Sequence, residues 1–156
     1  MKKIIGLYGR PGSGKTTTLN LLIELLVEKG QGDNPVTMIA NTTSDYDRGR
    51  EGQEDNPVTI YDYRGKTIVI TPGGDDKDVI KNNTEAFEKA EGDILVTATR
   101  TKGQTTSQLS DYIGGNSEKI TWIKKNYAVI RTDLVNQAQA EDIKAVIDLK
   151  IDEWDK

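Results

Sequence analysis

Eight residues, Gly9-Arg10-Pro11-Gly12-Ser13-Gly14-Lys15-Thr16, limit what this chain can fold into more than any other stretch. The run before them, KIIGLY at residues 3–8, has the branched and aromatic content of a short buried strand. The run after them, Thr16 to Lys29, is helical in pattern. Leu19, Leu22, Ile23 and Leu26 recur at spacings of three and four, with Asn20, Glu24 and Glu28 on the opposite side. Leu21, Leu25 and Val27 widen the apolar face, as a helix pressed against both a sheet and a neighbour requires, and Gly30 ends it. A strand, a glycine loop and a helix therefore follow one another without a break.

The spacing G-x-x-x-x-G-K-T is met in full by Gly9, Gly14, Lys15 and Thr16. Glycines let the backbone curl so that successive N–H groups converge on one anion. The opening turn of the following helix, through Thr17, adds N–H groups and a partial positive charge. The candidate anion-binding residues are thus Gly9, Arg10, Pro11, Gly12, Ser13, Gly14, Lys15, Thr16 and Thr17. In such a loop the lysine reaches the β- and γ-phosphates of a triphosphate, and the threonine hydroxyl is a ligand for Mg²⁺.

Composition narrows the remaining possibilities. The 156 residues fit one domain spanning 1–156, with a formal charge of −4 from 21 basic and 25 acidic residues. A mildly acidic, mixed surface gives no general pull toward nucleic acid or an anionic membrane. The absence of cysteine excludes disulfides and thiolate chemistry, and the absence of histidine leaves acid–base work to carboxylates, lysines or oriented water. The opening MKKIIGLYGR carries too few apolar residues for a signal-peptide core of about 7–15, and no run approaches the roughly 18 needed to span a membrane. A cytoplasmic location is the expectation.

Further along, GQGDNPVT at 30–37 recurs as GQEDNPVT at 52–59, each copy entering a β-prone run. Asn-Pro forces an extended entry, and two copies are too few for a solenoid. Between them NTTSDYDRGRE (41–51) reads as a long polar loop. VTIYDYRGKTIVIT then reads as two strands joined at Arg64-Gly65, a hairpin at about 57–71. Residues 78–90 read as a helix, Asp93–Arg100 as a buried strand, and Leu109, Tyr112 and Ile113 as a short helix ended by Gly114-Gly115. KITWI (119–123) and YAVIR (127–131) compete for the last strand, and a final helix runs from about Gln137 to Trp154. These elements predict a three-layer α/β fold with a mostly parallel sheet and helices on both faces.

Residues 3–29 resemble the opening unit of the P-loop NTPases, which implies a nucleoside triphosphate with Mg²⁺ bound at the strand ends of a doubly wound sheet. The hairpin resembles that of the small GTPases, a family that carries Asp-x-x-Gly at the end of the second hairpin strand. Here that place reads IVITPGGDD, so Asp75 or Asp76, a few residues later, is the candidate to hold a magnesium-bound water. Guanine readers also use Asn/Thr-Lys-x-Asp after a later strand. The nearest string is Thr101-Lys102-Gly103-Gln104, where a neutral amide replaces the two-acceptor carboxylate, and this leaves ATP as the expected nucleotide.

Candidates for handling a phosphate acceptor are Arg48 and Arg50, with Asp45 and Asp47 beside them, and Arg100 and Lys102 after the ILVTAT strand. No basic stripe with interleaved aromatics marks a nucleic-acid surface, and Trp122 and Trp154 sit in apolar patterns that predict core. Three functions fit this inventory: a slow Mg-dependent ATPase with Lys15, Arg100 and Asp75 as its catalytic candidates, a small-molecule or nucleotide kinase, and a nucleotide-binding module for a protein partner. The missing strand-end aspartate favours slow chemistry or binding alone.

Overall fold

The computed structural model describes residues 2–10, 12–29, 37–40, 57–73, 77–100, 109, 112, 120–126 and 131–154. In chain order the elements are β1 (Lys3–Gly9), α1 (Lys15–Lys29), β2 (Thr37–Ala40), β3 (Val58–Tyr63), β4 (Lys66–Thr71), α2 (Lys77–Lys89), β5 (Ile94–Arg100), β6 (Ile120–Lys124) and α3 (Thr132–Trp154). The six strands form one sheet in the order β2-β3-β4-β5-β1-β6. Strands β4, β5, β1 and β6 pair in parallel, while β3 runs antiparallel to both β2 and β4.

Because side chains alternate across a strand, each central strand feeds two cores. On one face Ile5, Leu7, Ile68, Ile70, Ile94 and Val96 pack with Leu19, Leu22 and Leu26 of α1 and with Ala140, Ile143 and Ile147 of α3. On the other, Ile4, Val69, Leu95 and Ile120 pack with Phe87 of α2 and with Leu109, a helical residue. The expected three-layer arrangement, with helices on both faces of a mostly parallel sheet, is the one observed. Strands buried on both faces explain why β1, β4 and β5 read as nearly continuous apolar runs.

The hairpin turns at Arg64-Gly65, as its sequence predicts. Both residues have positive φ (51° and 83°), the requirement of a two-residue turn whose twist matches the flanking strands. Arg64 then reaches α3, where it pairs with Asp148 (3.3 Å) and Asp152 (2.5 Å). Tyr63 donates to Asp148 at 2.8 Å, and Lys144 pairs with the second oxygen of the same carboxylate at 2.7 Å. The hairpin is thereby fastened to the last helix.

Two differences from the sequence reading bear on the site. The last strand is Ile120–Lys124, which pairs with β1, while residues 127–130 lie outside the described ones. The last helix begins at Thr132, five residues before the expected Gln137. Its first two turns hide from an apolar-periodicity reading because Asn136 and Gln139, both buried, stand where aliphatic residues would mark the face. Trp122 packs with the second core and meets Tyr8 edge-on at 6.2 Å, and Trp154 packs against the first, as their apolar settings predict. Among the described residues no helix is long and apolar enough to cross a membrane.

Candidate functional site

The glycine loop leaves β1 at the carboxyl edge of the sheet. Gly12 and Gly14 hold φ of 78° and 97°, values that side chains disfavour, so these two glycines are required for the curl. Ser13 N–H closes a turn onto Arg10 C=O (3.2 Å), and the first bond of α1 runs from Thr18 N–H to Gly14 C=O (2.9 Å). The amides just before Thr18 therefore head the helix, where helical geometry provides no acceptor for them.

Lys15 opens α1 and is 5% exposed. Its ammonium donates to the C=O of Gly9 (2.7 Å) and of Thr99 (2.8 Å). Gly9 and Arg100 are register partners, so these carbonyls terminate adjacent parallel strands, β1 and β5. The chain leaves β1 toward the β2 edge, whereas β6, which follows β5, lies on the far side of β1. The crevice between β1 and β5 is thus where strand order reverses, the place where open α/β sheets take ligands. Lys15 lies across it.

The hydroxyl of Thr16 donates to Pro72 C=O at 3.4 Å and brings the end of β4 to the head of α1, although β5 separates β4 from β1 in the sheet. The next residue is tied as well: Asn83 of α2 donates to Gly73 C=O (2.7 Å) and to the Thr97 hydroxyl (3.4 Å). Ser13 Oγ and Thr99 Oγ1 are buried without a hydrogen-bond partner among the described residues.

On the β6 side, Lys125 N–H donates to Tyr8 C=O at 2.7 Å. Its side chain lies against Gly9, with Lys125 Cβ 2.9 Å from where a Cβ on that glycine would stand. The residue is 5% exposed, and its ammonium donates to Asn126 C=O. Burial holds its pKa below the usual lysine value. Gln139 of α3 braces the same turn from both sides, accepting from Asn126 N–H (2.8 Å) and donating to Lys124 C=O (2.7 Å).

Of the candidates from sequence, Gly9, Gly12, Ser13, Gly14, Lys15 and Thr16 come together in this loop, with Arg10 and Thr17 on its exposed side. Arg100 ends β5 beside Gly9 in the backbone register, and its side chain lies outside the described residues. Pro11, Asp75, Asp76, Lys102, Gln104 and the 41–51 segment with Asp45, Asp47, Arg48 and Arg50 lie outside them too. So do most of both GQxDNPVT copies. Sequence reasoning did not find Asn136 or Lys125 as neighbours of the loop, nor Asn83 and Gln139 as braces of the strand ends around it. The only signal was a pair of amides interrupting an apolar stripe.

The cradle suits a polyphosphate: two left-handed glycines, a helix head, a buried ammonium and a serine hydroxyl without a partner among the described residues. The Thr16 hydroxyl, with its proton on Pro72 C=O, keeps lone pairs for a cation. Among the described residues no cluster of three acidic, histidine or cysteine side chains occurs, and the Thr16 hydroxyl is the candidate ligand for a divalent ion.

Comparison with curated proteins and with solved structures gave no match. A family model did match: 50S ribosome-binding GTPase, over residues 4–126, which takes in the loop and every strand of the sheet. The chain is therefore a nucleotide-binding P-loop protein and belongs to the 50S ribosome-binding GTPase family.

Proposed function

We propose that the chain binds GTP with Mg²⁺ and hydrolyses it slowly. The observation that carries this reading is the Lys15 ammonium lying across the β1–β5 crevice, at the head of a helix whose N–H groups converge there. The Lys15 ammonium donates to the carbonyls of Gly9 and Thr99, and phosphate oxygens would take their place as acceptors. The expectation of ATP rested on Gln104; membership in a GTPase family moves the proposal to GTP. Gln104 offers one carbonyl oxygen where guanine readers offer a carboxylate. A charged hydrogen bond exceeds a neutral one by about 1–1.5 kcal/mol, so preference over ATP is expected to be modest, on the order of tenfold.

Support for slow turnover comes from the sequence at the end of β4. There Thr71-Pro72-Gly73 stands in place of the strand-end aspartate of the small GTPases, and Pro72 C=O accepts the Thr16 hydroxyl at the head of α1. Mg²⁺, when bound through Thr16, supplies charge neutralisation at the β- and γ-phosphates. Arg100 is the candidate to stabilise charge on the transferring phosphoryl group, a role worth about 10³–10⁵ in rate where an arginine fills it. The test is GTP and ATP turnover with and without Mg²⁺, repeated for Arg100→Ala. Slow, Mg-dependent GTP hydrolysis that Arg100→Ala reduces supports the proposal. Turnover of ATP alone, or none without an added phosphate acceptor, would replace it with the ATPase or kinase reading.

A further inference from the structure

On α3 the residues Ile151, Ile147, Ile143 and Ala140 form one buried stripe at spacings of three and four, and Asn136 stands at the next position of that stripe. An aliphatic side chain would continue the core there at lower cost, because a buried amide loses free energy unless its polar atoms find partners. Asn136 is 8% exposed, and what it meets is the glycine loop. Its Oδ1 accepts the Thr18 hydroxyl at 3.3 Å. Its Oδ1 and Nδ2 lie 2.9 and 3.1 Å from where a Cβ on Gly14 would stand. It therefore touches the loop at the glycine with φ of 97°, and α1 four residues later at Thr18.

We infer that Asn136 is a positioning residue of the triphosphate site, an amide through which α3 sets the curl of the loop at Gly14 and Thr18. The inference rests on the reading of residues 9–17 as a triphosphate cradle and adds a dependence of that cradle on the last helix. The contact fixes where the Gly14 and Lys15 amides point, so its loss lets the loop relax away from the geometry that phosphate needs. Gln139, one turn on, holds the Lys124–Asn126 turn after β6, so the two amides tie the glycine loop and the neighbouring β6 turn to one helix.

The test uses two variants of the full chain, titrated with a non-hydrolysable GTP analogue and Mg²⁺. Asn136→Leu continues the apolar stripe but takes the acceptor from the buried Thr18 hydroxyl, so either role predicts a somewhat lower melting temperature. A purely structural role leaves the affinity of the folded variant at wild type. Positioning predicts that the affinity of the folded variant also falls about tenfold, the equivalent of about 1.4 kcal/mol. Asn136→Asp keeps the side chain's shape and an acceptor for Thr18 but sets a negative charge beside Gly14. Its affinity should fall by at least as much at low salt and recover partly at high salt. Wild-type affinity in either folded variant overturns the inference. Lys15→Ala, titrated alongside, separates the two levels: if it too binds like wild type, the cradle reading itself fails, and if it alone is weakened, only the role of Asn136 does.

Discussion

Gly14→Ala should damage the fold more than Gly12→Ala, and the difference measures the contact between α3 and the loop. Both glycines have positive φ, at 78° for Gly12 and 97° for Gly14. Forcing an alanine into such a conformation costs about 1–2 kcal/mol at either site. At Gly12 nothing lies within 4 Å of the added Cβ, so that is the whole effect. At Gly14 the new Cβ would stand 2.9 Å from Asn136 Oδ1, closer than real contacts allow. Asn136 must withdraw and leave the buried Thr18 hydroxyl without its acceptor, for about a further 1–3 kcal/mol. In a domain of this size about 2–4 °C of melting temperature is lost per kcal/mol. Gly14→Ala should thus melt about 4–20 °C below wild type, and Gly12→Ala about 2–8 °C below. The assay is thermal unfolding followed by circular dichroism without nucleotide, because bound ligand would add its own stabilisation. Adding Asn136→Ala to Gly14→Ala should return part of the loss. Equal losses for the two glycine variants, with no rescue, would refute the contact.

Other outcomes can be checked on the same material. Asp148 is drawn below the usual carboxylate range: burial pushes it up, but bonds from Lys144, Tyr63 and Arg64 outweigh that. A depressed folded pKa gives stability that is present above the unfolded value near 4 and is lost as pH falls through the folded one. Asp148→Asn should therefore flatten the acid limb of a stability–pH profile, and an unchanged limb would contradict the network. Lys125 is depressed by burial, so the unfolded chain binds the extra proton in the alkaline window between the two pKa values, and stability rises with pH there. Lys125→Met should remove that rise and raise the melting temperature at pH 7, as differential scanning calorimetry across pH would show. Phe87, fully buried in the second core, should cost about 3–5 kcal/mol when replaced by alanine, read from urea denaturation midpoints.

The loop and its flanking elements were legible because backbone chemistry dictates them: glycines where φ is positive, a lysine at the helix head, and a β-rich run entering the turn. The hairpin was legible for a similar reason, since Arg64-Gly65 adopts the two positive φ values that only a short list of turns requires. Strand order was not, because nothing local in β5 says that it will lie between β1 and β4. The start of α3 and the residues behind the loop were missed together, and for one cause. Apolar periodicity finds a helix by its greasy stripe, and here the stripe turns polar where the helix meets the site. Asn136 and Gln139 carry no apolar signal, and their place in the stripe shows only with the loop and the β6 turn against them. Base choice was weighed on Gln104, a single position, and the family match over residues 4–126 outweighs it as a guide to the nucleotide.

The proposed triphosphate site stands on Lys15 and the loop that presents it. Isothermal titration of a non-hydrolysable GTP analogue with Mg²⁺ into wild type and Lys15→Ala, both shown to be folded, tests it most directly. Loss of a buried ammonium paired with phosphate should weaken binding by about 2–5 kcal/mol, which is roughly 30-fold to several thousandfold. Equal affinities, or no binding by the wild type, would contradict the central claim that residues 9–17 hold a triphosphate.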